Sequence, residues 1–379
     1  MRIFFLGLFW SLWFLAFSTR TSLSPLLPVI EDELGLSHAL AGGLYLALAV
    51  GYTMSLLLSG FLAPRIGYKR SILIGFVSLA AALACPWFAR DYALLLGIFF
   101  LVGAGGGLYL PSAIPLLTRL YDARHWGKAL AFHDTAASIS ILSIPFLTTL
   151  TLLFLDWRAF FVILAGACLL AAALFGLFVP DAPPQAGEER GNLARIFRRP
   201  EFWVMVALWM VAATASMGLY SIIPLFLVKE RGIALETANT LFGFSRIGGV
   251  FATLLAGFLA DRFGVRRVLL FVLLITGLST VGIALAPSHL LLVIMLFVQA
   301  PLSNGFFPVG LVAISKLSGT GERSLFTGAT ISGGTIAGLG LAPLCLGAAA
   351  DVWSFQAGIL VTGGIIMAAA FVTLLLQDI

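Results

Sequence analysis

Gly60-Phe-Leu-Ala-Pro-Arg-Ile-Gly-Tyr-Lys-Arg70 returns 197 residues later as Gly257-Phe-Leu-Ala-Asp-Arg-Phe-Gly-Val-Arg-Arg267. Gly35 and Gly232 share that offset, and so do Gly51 and Gly248. Such a repeat inside a chain of 379 residues points to two copies of one architecture joined near the middle. The segment Asp181 to Pro200 is the only long polar stretch. It carries Pro183, Pro184, Gly187 and charges of both signs, and reads as a linker. The expected organisation is one half over 1–180, a linker over 181–200 and a second half over 201–379.

Composition sets the surroundings. Hydrophobic residues make up 60% of the chain and charged residues 10%, with a mean hydropathy of +1.07. A water-soluble domain has no use for that much apolar surface, whereas a protein threaded repeatedly through a bilayer needs it. A spanning helix takes about 20 residues. Cutting the chain at charged and Pro/Gly breaks gives twelve candidates: 3–30, 38–63, 71–89, 92–118, 127–150, 158–179, 202–228, 237–260, 268–286, 289–315, 325–349 and 355–376. None shows the alternation of a membrane β-barrel, so the fold class is all-α integral membrane.

The basic residues orient the spans. With the N-terminus in the cytoplasm, the inner segments hold Arg2, Arg65, Lys69, Arg70, Arg119, Arg124, Lys128, Arg190, Arg195, Arg198, Arg199, Arg262, Arg266, Arg267, Lys316 and Arg323. Only Arg90, Arg158, Lys229 and Arg231 fall outside. Both termini are therefore expected in the cytoplasm. The formal net charge of +5 is accounted for at the membrane surface, with no call for nucleic acid. The first span is too long for a signal peptide, carries Arg20 and lacks a small-residue cleavage site. Cys85, Cys168 and Cys345 lie in separate spans, which argues against a disulfide framework or a metal cluster.

Two basic residues remain, Arg20 and Arg246, each inside an apolar span. An intramembrane guanidinium costs several kcal/mol and usually faces a bundle interior or a watery cavity. At 1.5 Å per residue, Arg20 lies about 5 Å outside the midpoint of the first span. Arg246 lies about 4 Å outside that of the eighth, which runs the other way. Two cations at one depth with almost no acid nearby suit a carboxylate or phosphate, because each guanidinium offers a planar fork of donors. The competing reading makes each a structural charge satisfied by carbonyls. Tyr220 and Asn304 are candidate polar partners of the substrate, with Gln299 and Ser221 as further cavity linings. His133-Asp134 is the other polar site within a span, and either side chain could exchange a proton there. Adjacent helical residues point about 100° apart, so one of the two faces the cavity. The opposing reading is a salt bridge or interhelical hydrogen bond. Gly103, Gly105 to Gly107 and Pro111 in the fourth span match Pro301, Gly305 and Pro308 in the tenth. Close packing is the simpler reading of these breaks, and a hinge the other.

The loop motif Gly-x-Leu-Ala-Asp-Arg-x-Gly-x-Arg-Arg, found twice in register, resembles the signature loop of the major facilitator superfamily. The resemblance covers the whole chain and implies that fold: twelve transmembrane helices in two six-helix pseudo-repeats, moving by alternating access about a midplane site. It assigns Gly60, Arg65, Gly67, Gly257, Asp261, Arg262 and Gly264 to cytoplasmic gating loops. Pro64 departs from the pattern, standing where the second copy keeps Asp261. The run from Thr19-Arg20-Thr21-Ser22 to about Arg70 is similar to the organic anion:cation symporters of this superfamily. In those proteins the arginine of an Asp-Arg pair contacts the substrate carboxylate. Here Thr19 replaces the aspartate.

Absences narrow the function. Ile98 stands where proton-driven drug exporters usually carry an arginine, and Ser138-Ile-Ser-Ile-Leu-Ser-Ile-Pro145 lacks their Gly-Pro motif. The glutamate that couples organic anion symporters also has no counterpart in the Gly103–Gly107 run. No nucleotide-binding loop or haem or zinc spacing is present, so neither an enzyme nor a cofactor or metal is expected. The reading is a secondary transporter of a small organic anion in the cell (inner) membrane, with proton coupling through Asp134 or His133 as one version. The alternative is an exporter of amphiphilic or drug-like compounds or metal chelates. Expected partners are the anionic substrate, protons and membrane lipid. The expected oligomeric state is a monomer, by analogy with the fold.

Overall fold

The computed structural model describes residues 2–122, 125–181, 193–318 and 322–376. Arg124, Arg190 and most of the expected linker lie outside these. Among the described residues the secondary structure is helical throughout. Eleven helices are long and apolar enough to cross a membrane. The first seven are α1 (Ile3–Leu34), α2 (His38–Ile66), α3 (Tyr68–Phe88), α4 (Tyr92–Leu120), α5 (Trp126–Leu152), α6 (Trp157–Phe178) and α7 (Pro200–Lys229). The expected eighth span, 237–260, is instead two shorter helices, α8 (Leu235–Phe244) and α9 (Gly249–Phe263). The last four are α10 (Val265–Leu285), α11 (His289–Leu317), α12 (Leu325–Val352) and α13 (Phe355–Leu375).

The break between α8 and α9 has a local cause. Gly243, Ser245, Gly248 and Gly249 are weak helix formers within seven residues. The chain there tightens to three-residue hydrogen bonds, from Arg246 N–H to the Gly243 carbonyl (3.0 Å) and from Gly249 N–H to the Arg246 carbonyl (3.0 Å). Arg246 sits in that turn.

The chain divides into two compact units. One comprises Met1–Leu36 and Gly43–Gly187, the other Ser37–Gly42 and Glu188–Ile379. In the second, Asp351 caps the start of α2 by accepting the backbone N–H of His38 and of Ala39, each at 2.9 Å.

The sequence repeat has a repeated geometry. Gly67 (φ 94°) and Gly264 (φ 89°) turn the chain into α3 and α10, in a conformation that side chains with a Cβ rarely adopt. Helix capping follows the same offset. Asp91 accepts from Leu94 N–H at the start of α4, and Ser288 from Leu291 N–H at the start of α11.

Each unit also clamps its helix ends with one acid and one arginine. In the first, Glu33 accepts from the Trp157 indole (2.6 Å) and pairs with Arg158 (2.7 Å), which also donates to the Ala89 carbonyl at 3.1 Å. In the second, Glu230 accepts the Phe355 and Gln356 backbone N–H groups (2.5 and 3.0 Å), while Arg231 donates to the Ala286 carbonyl at 3.1 Å. Glu230 stands 197 residues after Glu33, and Ala286 after Ala89. The clamp is thus conserved in place, although its arginine comes from α6 in one unit and from the loop after α7 in the other. Arg158 is buried, so Arg158→Ala takes a donor from both Glu33 and the Ala89 carbonyl at once. We expect a loss of about 1–3 kcal/mol, read as earlier thermal aggregation of the purified protein, with Arg231→Ala behaving alike.

Within the first unit α2 and α4 touch backbone to backbone. A Cβ on Gly51 would fall on the Phe100 carbonyl, one on Gly103 on the Leu48 carbonyl, and one on Gly107 on the Tyr52 carbonyl. Small residues that let helix backbones meet are the usual solution inside a membrane, where burial from water gives little attraction. Close packing is what these glycines do here. That contact fixes the depth and rotation of Tyr52.

Candidate functional site

Arg20 occupies the last turn of the first segment of α1, which runs from Arg2 to Thr21 before a break at Ser22. The break is held from α5: Ser140 shares hydrogen bonds with Ser18 (3.0 Å) and Thr21 (3.2 Å). Thr19, at the position of the expected aspartate, is buried with its hydroxyl on the Ala16 carbonyl at 2.8 Å. The Arg20 guanidinium lies among three rings, 4.4 Å from the centroid of Tyr52, 4.5 Å from Phe17 and 5.3 Å from Trp13. Its Nε and Nη2 are buried without a hydrogen-bond acceptor.

Arg246 has the same surroundings in the other unit. It is 7% exposed. Its guanidinium lies 4.7 Å from the centroid of Phe242 and 5.0 Å from Tyr220, and its Nε is buried without an acceptor. Among the described residues neither arginine forms an ion pair.

Ring faces are electron-rich, so a desolvated guanidinium against them gains up to about 2 kcal/mol per contact. Arg20 lies in the last turn of its helix and Arg246 just past the end of α8, and the negative dipole end of a helix favours a cation by about 0.3–1 kcal/mol. These terms keep the cation charged without a carboxylate. They cover the faces of the guanidinium and leave N–H groups on its edge without acceptors. An oxoanion approaching in the guanidinium plane would take up those donors, which is the geometry of Arg–carboxylate pairing.

The two sites are built from the same parts in exchanged positions. In the first unit α1 carries the arginine and α2 the tyrosine; in the second α7 carries the tyrosine and α8 ends at the arginine. The ring on the arginine's own helix was readable from spacing, since Phe17 stands three residues before Arg20 and Phe242 four before Arg246. Tyr52 was not, because nothing in the sequence places it against Arg20.

Other expected site residues fall differently. Asn304 is half-buried, and its Oδ1 accepts from Ser216 at 3.0 Å. Gln299 and Ser221 are buried: Gln299 donates to the Ala215 carbonyl (2.8 Å) and Ser221 to the Met217 carbonyl (2.8 Å). His133 is buried in a stack with Trp13 and Tyr109, while Asp134 beside it is exposed. The Tyr109 hydroxyl donates to the Phe9 carbonyl at 2.7 Å and lies 2.9 Å from His133 Nε2. With the hydroxyl proton committed, Nε2 must carry its own proton and donate to the tyrosine oxygen. In the loops, Arg65, Asp261 and Arg262 are exposed, and Arg262 stacks on Phe263 at 5.5 Å. Gly60 and Gly257 lie in α2 and α9, just before those turns.

The sequence matches a known family model, described as Major Facilitator Superfamily, over residues 9–252 and 210–378. The chain belongs to the Major Facilitator Superfamily. It is 23% identical over 278 residues to a probable sulfoacetate transporter of Cupriavidus necator, covering 68% of this chain and 64% of that one. To the 3-(3-hydroxy-phenyl)propionate transporter of Escherichia coli it is 27% identical over 271 residues, with the same coverage. To a multidrug resistance protein of Klebsiella pneumoniae it is 26% identical over 215 residues, 54% of each chain. The chain thus spans just under two thirds of the length of the first of these relatives. Among solved structures, a bacterial homologue of the human lysosomal transporter Spinster superposes with a TM-score of 0.86 at 17% identity, covering 99% of this chain and 97% of that one. Membership in a superfamily of membrane transporters agrees with the eleven helices, among the described residues, that are long and apolar enough to cross a membrane.

Proposed function

We propose that this superfamily member is a secondary transporter of a small organic anion, with Arg20 and Arg246 as the groups that hold it. One observation carries the reading: each unit sets an arginine among aromatic rings, Arg20 half-buried and Arg246 buried, with no acid of the described residues paired to it and N–H donors left without acceptors. Two relatives named for a sulfonated carboxylate and an aromatic carboxylate are in keeping with it. In this reading the halves 1–180 and 201–379 form two six-helix repeats, with α8 and α9 together as the eighth of twelve spans. Both termini face the cytoplasm across the inner membrane, and Tyr220 and Asn304 flank the substrate. The loop residues Gly60, Arg65, Gly67, Gly257, Asp261, Arg262 and Gly264 close the cytoplasmic side. The similarity to a multidrug resistance protein supports a second reading, export of amphiphilic compounds, in which the arginines are satisfied by their rings alone.

The deciding experiment is thermal stabilisation of the purified protein by sulfoacetate, 3-(3-hydroxyphenyl)propionate and gallate, followed by uptake into proteoliposomes with and without an inward proton gradient. Stabilisation by one of these anions at sub-millimolar concentration supports the first reading. No response to any of them, with stabilisation by amphiphilic cations, moves the second ahead. Within the first reading Asp134 is the proton carrier, because His133 is enclosed and hydrogen-bonded to Tyr109. Asp134→Asn should abolish stimulation by the gradient while leaving anion counterflow near the wild-type rate. Retained stimulation would mean coupling elsewhere.

A further inference from the structure

In α7 the residues Thr214–Gly218 form a single π turn. Such a turn adds one residue to the helix and leaves a backbone carbonyl without its usual partner. Here the Ala215 carbonyl is met by a side chain from another helix, Gln299 of α11, which is 1% exposed and donates at 2.8 Å. The next residue of the turn, Ser216, donates to Asn304, also of α11, at 3.0 Å. The amide nitrogen of Asn304 lies against Gly249, where an added Cβ would be 3.1 Å from it. Gly249 opens α9, three residues after Arg246. From the other side a second π turn, Ile336–Leu341 of α12, presses on the first. A Cβ on Gly218 would meet the Gly338 carbonyl and the Ala342 methyl, and one on Gly338 would meet the backbone of Ala213.

The register of α7 beyond this turn depends on it. One inserted residue rotates everything that follows by about 100°. Tyr220, two residues past the π turn, packs tilted against Phe242 (4.7 Å) with its ring over Arg246. If the turn relaxed into ordinary α-helix, the tyrosine ring would swing off the guanidinium.

We propose that Gln299 and Asn304 are positioning residues: they hold the π turn of α7 open and so set Tyr220 over Arg246. Neither touches the guanidinium. Gln299 supplies the hydrogen bond that the π turn lacks, and Asn304 ties that turn to the start of α9. The inference rests on the reading that Arg246 receives the anion, and deepens it by assigning what keeps that site in shape.

The test compares Gln299→Leu, which removes the donor at similar bulk, with Gln299→Glu, kept neutral by burial and still able to donate. Two readouts are taken. The first is the rate at which phenylglyoxal, an arginine-specific reagent, modifies Arg246, measured by peptide mass spectrometry with Arg20 as internal reference. The expected result is a roughly tenfold faster reaction of Arg246 in Gln299→Leu, an unchanged rate at Arg20, and a rate within about twofold of wild type in Gln299→Glu. The second is counterflow of 3-(3-hydroxyphenyl)propionate, where Gln299→Leu should raise KM about tenfold and leave Vmax within about threefold. An unchanged Arg246 reactivity in Gln299→Leu overturns the inference, as does equal failure of the leucine and glutamate variants. Arg246→Ala separates the two ideas. If it transports normally the anion reading fails, while the labelling still decides the bracing. Should Gln299→Leu not fold, Ser216→Ala cuts the tie to Asn304 more gently and is read by the same labelling, with faster modification expected and an unchanged rate overturning the proposal.

Discussion

Arg20→Ala and Arg246→Ala are each expected to lower the transport efficiency for an anion, as kcat/KM in proteoliposome counterflow, by about 30-fold or more. A charge-assisted pair made away from water, once truncated, costs roughly 2–5 kcal/mol, and every 1.4 kcal/mol is a factor of ten. The loss should appear mainly in KM, because the guanidinium holds the anion and forms no bond with it. Lysine at either position keeps the charge but not the planar fork, and ammonium is more strongly hydrated. Arg20→Lys and Arg246→Lys should therefore fall between wild type and alanine. The aromatic rings supply an internal control. Tyr52→Phe preserves the ring against Arg20 and should transport nearly as well as wild type, whereas Tyr52→Ala uncovers the cation and should not. If alanine at both arginine positions leaves efficiency within threefold of wild type, the arginines are structural and the export reading takes over.

The second large effect concerns folding. Gly103→Ala places a methyl group on the Leu48 carbonyl, where helix backbone rather than a movable side chain stands in the way. Separating α2 from α4 to make room should cost on the order of 3 kcal/mol, seen as a melting temperature lower by roughly 5–10 °C. Gly97→Ala, on the same helix, has nothing within 4 Å of the new atom and should be neutral or slightly stabilising, since alanine favours helix over glycine. The pair isolates contact from propensity. Because α2 carries Tyr52, Gly103→Ala should also weaken anion binding through Arg20. Equal melting temperatures for the two variants would show that these helices do not meet as closely as described.

Much of this protein was legible without coordinates. Hydropathy marks the spans because a bilayer has a fixed thickness, and a helix of about 20 apolar residues is what crosses it. The 197-residue repeat foretold paired turns, and Gly67 with Gly264 supplies them. Arg20 and Arg246 stand out because a guanidinium in an apolar span is costly enough to need a reason. Tertiary structure decided the rest. Tyr52 reaches Arg20 only because three glycines bring α2 and α4 together, which is a property of two helices and not of either. His133 and Asp134, indistinguishable by type and position, separated into a buried stack and an exposed carboxylate once α5 had a rotation about its axis. The eighth span broke at the very residue that mattered, since a run of glycines weakens a helix without saying where it will bend. Nothing in the sequence said that Gln299 donates to the carbonyl of a π turn on another helix. Composition reports how much apolar surface a segment must hide, and spacing reports which residues share a helical face. Which face meets which depends on packing across the whole bundle, and there the partners of the two arginines were chosen.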